Sequence, residues 1–214
     1  MNYNKYIDHT LLKPEATKQQ IEKLCTEAKQ YDFASVCVNP DYVSLCKELL
    51  KGTDVKVCTV IGFPLGSNTT ETKVFETRDA IHNGATEIDM VINISWLKQG
   101  LLNECINEIK EIKSTCGNHI LKVIVETCLL NQQDKINACK CVIDGKANFI
   151  KTSTGFSTGG ATIEDVKLFK THVGNKIMIK ASGGVKTFEQ MKAMIDAGAN
   201  RVGTSNGATL VSNK

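Results

Sequence analysis

The feature of the sequence that most limits its fold is an alternation of short apolar runs with amphipathic segments. Seven runs rich in apolar and β-branched residues recur at positions 33–38, 55–61, 87–92, 120–125, 148–150, 176–179 and 201–203. Runs of this length are typical of buried strands. Between them, apolar residues follow helical spacing, as at Ile21, Leu24 and Ala28. The pattern therefore predicts repeated strand–helix units.

An eighth strand is predicted at residues 6–7, before the first helical segment. Eight parallel strands, each followed by a helix, close into a (β/α)8 barrel, and we predict this fold for residues 1–214 as a single domain. The alternative is a doubly wound open sheet. That fold usually carries a Gly-x-Gly-x-x-Gly turn after its first strand. Residues 6–10 contain no glycine, which favours the barrel.

Enzymes built on this barrel place their chemistry at the carboxyl ends of the strands and in the loops that follow. The ionisable or polar residues that we predict at those positions are Asp8, Cys37, Asp89, Glu126, Lys151 and Lys180. The last two strand–helix loops add Ser182-Gly183-Gly184 and Thr204-Ser205-Asn206. The search for a functional site is thereby limited to a few short segments.

Lys151 is the leading candidate for a nucleophile, because it directly follows the apolar run 148–150. An amine attacks a carbonyl only when neutral, and a lysine with a pKa of about 10.4 is neutral in fewer than about one molecule in a thousand at pH 7. Lys180 follows the next run, and repulsion between the two ammonium groups would favour the neutral form of Lys151. The alternative for either lysine is a structural ion pair with a buried carboxylate.

Asp89 is the candidate proton carrier for such an amine. It lies among apolar residues of the fourth predicted strand, so its carboxylate is expected to face the same end of the barrel. Aldol chemistry through a Schiff base needs a proton removed from a substrate hydroxyl and later returned to carbon. The alternative is an ion pair that holds the two lysines in place, and one carboxylate can serve both purposes.

Glycine and hydroxyl residues in the last two loops indicate an oxyanion site. Backbone N–H groups in such turns bind phosphate, and barrels commonly hold phosphate in these same loops. The polar segment 152–160, which follows Lys151, is expected to contact the substrate, although a plain connecting loop is the alternative. The expected ligand is a small phosphorylated molecule.

Four segments of the chain closely resemble the deoxyribose-phosphate aldolases of the short bacterial type. They are residues 7–14 (IDHTLLKP), 87–93 (EIDMVIN), 149–159 (FIKTSTGFSTG) and 180–187 (KASGGVKT). The resemblance implies reversible cleavage of 2-deoxy-D-ribose 5-phosphate to D-glyceraldehyde 3-phosphate and acetaldehyde. It also implies that neither a metal nor another cofactor is needed, and that a homodimer is a common state.

The resemblance also implies roles for individual residues. Lys151 would form the Schiff base, while Asp89 and Lys180 would relay protons. Asp8 and Cys37 would line the substrate pocket. The phosphate would be held by Thr154, Gly155, Gly183, Gly184 and Ser205.

One departure concerns a tyrosine. Many relatives of this type end in a tail whose last residue is a tyrosine that helps to move the enamine proton, whereas the last tyrosine here is Tyr42. Either the tail is missing from this sequence, or proton transfer depends on Asp89, Lys180 and water. In the second case we expect a slower protonation step rather than loss of Schiff-base formation.

Composition argues against several other classes of function. The 26 basic residues nearly balance the 23 acidic ones and form no run, so a nucleic-acid partner is not indicated. The four histidines follow no metal-ligand spacing, and the nine cysteines, several inside apolar runs, indicate reduced thiols in the cytoplasm. No apolar stretch is long enough for a membrane span. A phosphosugar isomerase or epimerase on the same barrel, and a non-enzymatic phosphosugar sensor, remain as alternatives.

Overall fold

The protein is described here by a computed structural model that covers residues 2–212. Eight parallel strands form a closed barrel in chain order, with the last strand pairing with the first. The strands are β1 (Ile7–Leu11), β2 (Ser35–Val38), β3 (Lys56–Ile61), β4 (Glu87–Val91), β5 (Ile120–Ile124), β6 (Phe149–Lys151), β7 (Met178–Ser182) and β8 (Arg201–Thr204). The predicted (β/α)8 barrel is confirmed, and the open-sheet alternative is wrong.

Helices surround the barrel and connect successive strands. They are α1 (Lys18–Gln30), α2 (Val43–Leu49), α3 (Thr70–Asn83), α4 (Ile94–Lys98), α5 (Leu102–Cys116), α6 (Gln132–Asp144), α7 (Ile163–Val173), α8 (Phe188–Asp196) and α9 (Gly207–Ser212). Short 3-10 turns occupy Tyr3–Tyr6, Pro40–Tyr42 and Thr127–Leu129. Among residues 2–212, no helix is both long and apolar enough to cross a bilayer.

Side chains at the helix starts explain where several helices begin. Thr17 accepts a hydrogen bond from the Gln20 N–H and forms a capping box at the start of α1. Thr162 accepts from the Asp165 N–H at 3.1 Å at the start of α7. Such caps satisfy N–H groups that would otherwise lack a partner and fix where each helix leaves the strand before it.

The apolar core lies between the barrel and the helices, whereas the barrel interior carries charges. In β4, Ile88 and Met90 join the apolar core, and the alternate residues Glu87 and Asp89 face inward. This alternation is the period of two expected of a strand. Barrel interiors are commonly filled by branched apolar side chains. Ionisable side chains in that position, fully removed from water, need partners of opposite charge.

Three residues that we predicted at strand ends lie within strands instead. Asp8 is the second residue of β1, Asp89 is the middle residue of β4, and Lys180 is the middle residue of β7. The apolar runs did not show where the strands end, because β4 and β7 continue past their charged residues. These three side chains consequently lie deeper in the barrel than predicted.

A buried ion pair also joins two helices outside the barrel. Lys73 of α3 donates to Glu108 Oε1 of α5 at 2.9 Å and to the Val91 carbonyl at 2.9 Å, and neither side chain is exposed. Burial lowers the pKa of Lys73 and raises that of Glu108, so each charge is disfavoured except in the presence of the other. The pair therefore makes each residue dependent on its partner.

Replacing Glu108 alone by leucine is expected to lower the free energy of unfolding by about 3–5 kcal/mol, because Lys73 is left buried and unpaired. The double variant Lys73→Met/Glu108→Leu removes both charges, and its stability should return to within about 1 kcal/mol of the parent. Urea denaturation measures both. The exposed pair Lys18–Glu22 is the matched control, since its loss should cost less than about 1 kcal/mol. A Glu108→Leu variant as stable as the parent would contradict this expectation.

Candidate active site

Lys151 lies at the carboxyl end of the barrel and faces a cavity. It is the last residue of β6, and its side chain lines a cavity of about 380 Å³ formed by the loops after β1, β6, β7 and β8. The residue is only 2% exposed, so the amine reaches solvent through the cavity alone. This is the setting expected for a nucleophile that reacts away from bulk water.

The five residues predicted to bind phosphate line the same cavity as Lys151. They are Thr154, Gly155, Gly183, Gly184 and Ser205. The loops after β6, β7 and β8 converge there because their strands are neighbours in the barrel. The structure thus brings together the predicted nucleophile and the predicted phosphate residues.

Asp89 lies between three lysines at the base of this site. Its Oδ2 accepts from Lys151 Nζ at 2.8 Å and from Lys180 Nζ at 2.7 Å. Its Oδ1 accepts from Lys122 Nζ at 2.8 Å. The carboxylate therefore connects the amine that faces the cavity with two amines that are completely buried.

Lys122 is a residue that the sequence prediction missed. It is the central residue of β5, within the run that we interpreted only as a buried strand. Its ammonium also contacts Glu87 Oε2 at 2.5 Å, and Glu87 in turn contacts Arg201 at 3.1 Å. A lysine in the middle of an otherwise apolar run is the signal that could have revealed it, since an unpaired lysine is almost never fully buried.

These side chains form one network inside the barrel. Lys180 contacts Asp8 Oδ2 at 2.5 Å, and Arg201 Nε donates to Asp8 Oδ1 at 2.5 Å. Within residues 2–212, the network joins three carboxylates (Asp8, Glu87, Asp89) to four cationic groups (Lys122, Lys151, Lys180, Arg201). Three negative charges balance three positive ones, so the network is neutral when one of its four cationic groups has lost its proton.

The buried groups of this network are held in their charged forms. Burial opposes ionisation of Asp89, but Lys122, Lys151 and Lys180 outweigh it and hold the pKa of Asp89 well below its usual range. Burial likewise disfavours the Lys180 ammonium, yet Asp8 and Asp89 raise the pKa of Lys180 above its ordinary value. The pKa of Lys122 is raised in the same way, against burial, chiefly by Asp89. Lys151 is the member of the network that lines the cavity.

The two predicted lysines are neighbours, but a carboxylate lies between their charges. Lys151 and Lys180 are paired in register on β6 and β7, and both donate to the same Asp89 oxygen. The prediction considered repulsion between two ammonium groups alone. The structure shows that the positive charge near Lys151 comes from several cations, partly offset by the shared Asp89.

Asp8 and Cys37, which we predicted to line the pocket, lie below it. Both are completely buried, and neither belongs to the lining of the cavity. The Asp8 carboxylate is turned inward because Lys180 and Arg201 bind it. A hydrogen bond with Cys58 lowers the pKa of the Cys37 thiol, against the effect of burial. Both residues lie beneath the floor of the cavity.

Cys37, Cys58 and Asp89 place three potential metal ligands within 4.8 Å of one another. The surroundings do not suit a cation, because the same Asp89 already binds the ammonium groups of Lys122, Lys151 and Lys180. Burial raises the pKa of Cys58, which further disfavours the thiolate that a metal would need. The arrangement is therefore better suited to ion pairs than to a metal.

The turn after β7 brings two backbones into close contact. Gly183 and Gly184 both have a positive φ, 84° and 81°. The Ala161 N–H donates to the carbonyls of Ser182 and Gly183 at 3.0 Å each, and a Cβ on Gly160 would lie only 2.3 Å from the Gly183 oxygen. Side chains are excluded from this contact, which holds the loop after β6 against the turn after β7.

Glu126 is a second residue to which we assigned no role from the sequence. It follows β5, is 2% exposed, and adopts a positive φ of 56°. Its carboxylate accepts from the Thr154 N–H at 3.3 Å and from the Thr154 hydroxyl. Its place after an apolar run made it a candidate, but its partner lies 28 residues away in sequence.

Comparison with known proteins identifies relatives of this chain. The sequence model of a family described as "DeoC/LacD family aldolase" matches residues 3–211. A deoxyribose-phosphate aldolase of Brevibacillus brevis is 58% identical over 211 residues, which cover 99% of this chain and 96% of the relative. A deoxyribose-phosphate aldolase of Malacoplasma penetrans is 59% identical over 204 residues, which cover 95% and 92% of the two chains.

A solved structure supports the same relationship. A deoxyribose phosphate aldolase from Aeropyrum pernix, described as a unique tetrameric structure, matches with a TM-score of 0.92 and 30% sequence identity. The match covers 99% of this chain and 90% of that one. These relatives are described as aldolases, which favours aldolase chemistry over an isomerase or epimerase. The resemblance found in the sequence is confirmed, and the chain belongs to the DeoC/LacD family of aldolases.

Proposed function

We propose that the protein reversibly cleaves 2-deoxy-D-ribose 5-phosphate to D-glyceraldehyde 3-phosphate and acetaldehyde through a Schiff base on Lys151. The observation that carries this proposal is the placement of Lys151 Nζ in the cavity, 2.8 Å from an Asp89 oxygen that also binds Lys180. Relatives at 58% and 59% identity are named deoxyribose-phosphate aldolases, which supports the choice of substrate.

The first half of the reaction attaches the substrate to the enzyme. The neutral Lys151 amine attacks the C1 aldehyde of the open-chain sugar, and loss of water from the resulting carbinolamine gives a protonated Schiff base. Asp89, 2.8 Å from the amine, is placed to carry the protons released and taken up.

The second half breaks the carbon–carbon bond. The C3 hydroxyl loses a proton, the C2–C3 bond breaks, and its electron pair moves toward the Schiff-base nitrogen to form an enamine as glyceraldehyde 3-phosphate leaves. The enamine C2 then takes up a proton, and water hydrolyses the Schiff base to release acetaldehyde and the Lys151 amine. We assign these proton transfers to Asp89, to Lys180 at 2.7 Å from it, and to water.

The phosphate group is proposed to lie against the loops after β6, β7 and β8. Gly155, Gly183, Gly184 and the exposed Ser205 line that part of the cavity and offer backbone N–H groups and a hydroxyl. Lys13 and Lys186 line the same cavity and are exposed, so they add positive charge near its mouth. Thr154 lines the wall as well, but its N–H and hydroxyl already donate to Glu126.

Reductive trapping tests the proposal. Borohydride added with acetaldehyde is expected to leave one stable ethyl adduct, which peptide mapping places on Lys151. The control is Lys151→Met, which should give no adduct and no cleavage of 2-deoxyribose 5-phosphate. Lys180 and Lys122 serve as internal controls, because both are fully buried and charged. A parent protein that cleaves the substrate while Lys151 stays unmodified would overturn the mechanism.

We further propose that the protein works in the cytoplasm as a homodimer. The nine cysteines are all free, which suits a reducing compartment. Leu65 and Phe75 are 71% and 70% exposed, and large apolar side chains of this kind suit burial between two copies. Light scattering after gel filtration measures the mass in solution, and a monomer would contradict the dimer.

A further inference from the structure

Glu126 is buried, charged and conformationally strained, and the proposed reaction gives it no task. Its φ and ψ of 56° and 67° lie in the left-handed region, which costs a residue with a Cβ about 1–2 kcal/mol. A buried carboxylate also needs donors to offset its loss of hydration. The backbone conformation and the buried carboxylate of Glu126 both cost free energy. Such a residue is expected to hold other groups in position.

The backbone on both sides of Glu126 is fixed to the segment that contains Lys151. The Val125 N–H donates to the Lys151 carbonyl at 3.0 Å, and the Thr127 N–H donates to the Thr152 carbonyl at 2.9 Å. The left-handed conformation of Glu126 lies between these two bonds. Its side chain is consequently aimed from a position that is rigid relative to the nucleophile.

The carboxylate of Glu126 then fixes the next part of the same loop. It accepts from the N–H and from the hydroxyl of Thr154, and the Thr154 hydroxyl in turn accepts from the Phe156 N–H at 3.0 Å. The N–H groups on either side of Gly155 are therefore both occupied. Among residues 2–212, Gly155 N–H has no acceptor, and Gly155 lines the cavity with a φ of 86°.

We propose that Glu126 is a positioning residue that sets the distance between Lys151 and the phosphate-binding N–H of Gly155, and that Thr154 acts through Glu126 rather than as a phosphate ligand. The inference rests on the proposed function, because it concerns the phosphate end of the same substrate. A phosphate held at a fixed distance from the amine brings C1 to Lys151, so the contact determines the preference for phosphorylated sugars.

Charge supports this assignment. A free carboxylate beside a bound phosphate would repel it, whereas the two Thr154 donors hold the Glu126 charge on the protein side of the wall. Loss of the Thr154 hydroxyl would release that charge toward the cavity. The effect of Thr154 on phosphate binding should therefore require the presence of the carboxylate.

The test compares phosphorylated and unphosphorylated substrates. Glu126→Gln keeps the size of the side chain and the backbone conformation. Its neutral amide has only one oxygen, so it cannot replace the two carboxylate oxygens that accept from Thr154. We expect kcat/KM for 2-deoxyribose 5-phosphate to fall about tenfold, as suits the loss of one charge-assisted hydrogen bond. For unphosphorylated 2-deoxyribose it should change less than about twofold, and adduct formation with acetaldehyde should be unchanged. Glu71→Gln, on the exposed surface of α3, is the matched control.

A double-mutant cycle separates the two roles of Thr154. If Thr154 acts through Glu126, the losses in Thr154→Val and Glu126→Gln should not add in the double variant, and Thr154→Ser should restore the parent behaviour. Additive losses would show that Thr154 binds phosphate directly, and would overturn the proposal. Equal losses for both sugars would overturn it as well, since they would indicate a general disturbance of the fold.

The affinity for inorganic phosphate, measured by calorimetry, tests the position of the Gly155 N–H without turnover. Glu126→Gln should weaken this binding about tenfold, and unchanged binding would overturn the inference. A parent protein that binds phosphate but neither cleaves the sugar nor forms the Lys151 adduct would refute the proposed function instead. The two failures are thereby distinguished.

Discussion

Replacing Lys180 by leucine is expected to lower cleavage of 2-deoxyribose 5-phosphate near neutral pH by about a thousandfold. Lys180 is one of four cationic groups that face three carboxylates. Without it, Asp89, the proposed proton carrier, loses a partner at 2.7 Å, and Asp8 loses one of its cationic partners.

Borohydride trapping separates an effect on the nucleophile from an effect on proton transfer. Trapping reports formation of the Schiff base and does not need the carbon–carbon bond to break. In Lys180→Leu we expect trapping to slow together with turnover, because Lys151 and Lys180 bind the same Asp89 oxygen and the removal of one changes the surroundings of the other. Trapping at the parent rate would mean that Lys180 acts in proton transfer alone. Thermal unfolding of the variant confirms that it is folded.

Replacing Asp89 by asparagine is expected to lower turnover by about a hundredfold to ten-thousandfold, while trapping of acetaldehyde on Lys151 persists. The variant removes the carboxylate that binds three lysines, but the Lys151 amine still faces the cavity. Turnover nevertheless falls, because the group placed 2.8 Å from the amine can no longer carry a proton.

Asp8→Asn is the matched control for this variant. It also removes one carboxylate from the network, but Asp8 contacts Lys180 and Arg201 rather than Lys151. Trapping should again persist, while turnover should fall much less than in Asp89→Asn. If the two variants lose turnover equally, Asp89 has no special part in proton transfer, and its role is limited to the charge balance.

The barrel and the position of Lys151 at its carboxyl end could be predicted because both depend on short stretches of sequence. A strand is indicated by a few consecutive apolar residues, and Lys151 stands out at the end of one such run. The glycine-rich loops are equally local, since Gly183 and Gly184 follow one another in a turn with positive φ. Features of this kind can be read without knowing which strands are neighbours.

The charge network could not be predicted in the same way, because its members meet only in the closed barrel. Lys122 lies 33 residues from Asp89 in sequence, and Arg201 lies 193 residues from Asp8. The sequence indicates that each is charged, but it does not show that their side chains share the interior. Lys122 was therefore interpreted as part of an ordinary buried strand.

The depth at which a side chain lies in the barrel could not be predicted from the sequence either. Asp8 and Cys37 were expected on the wall of the cavity, and they lie beneath its floor because their partners Arg201 and Cys58 lie there. Glu126 was noticed as a polar residue after a strand. Its function depends on a hydrogen bond to Thr154 that only the folded loops make visible.

The buried network divides the chain into two parts of opposite charge. Its carboxylates, Asp8, Glu87 and Asp89, all come from the first four strands, and its cations, Lys122, Lys151, Lys180 and Arg201, all come from the last four. A half-barrel that closed on a second copy of itself would bury charges of one sign without partners, at a cost that burial makes large. Each half can be neutralised inside a closed barrel only by the other, so the charges that surround Lys151 also specify which strands complete the barrel.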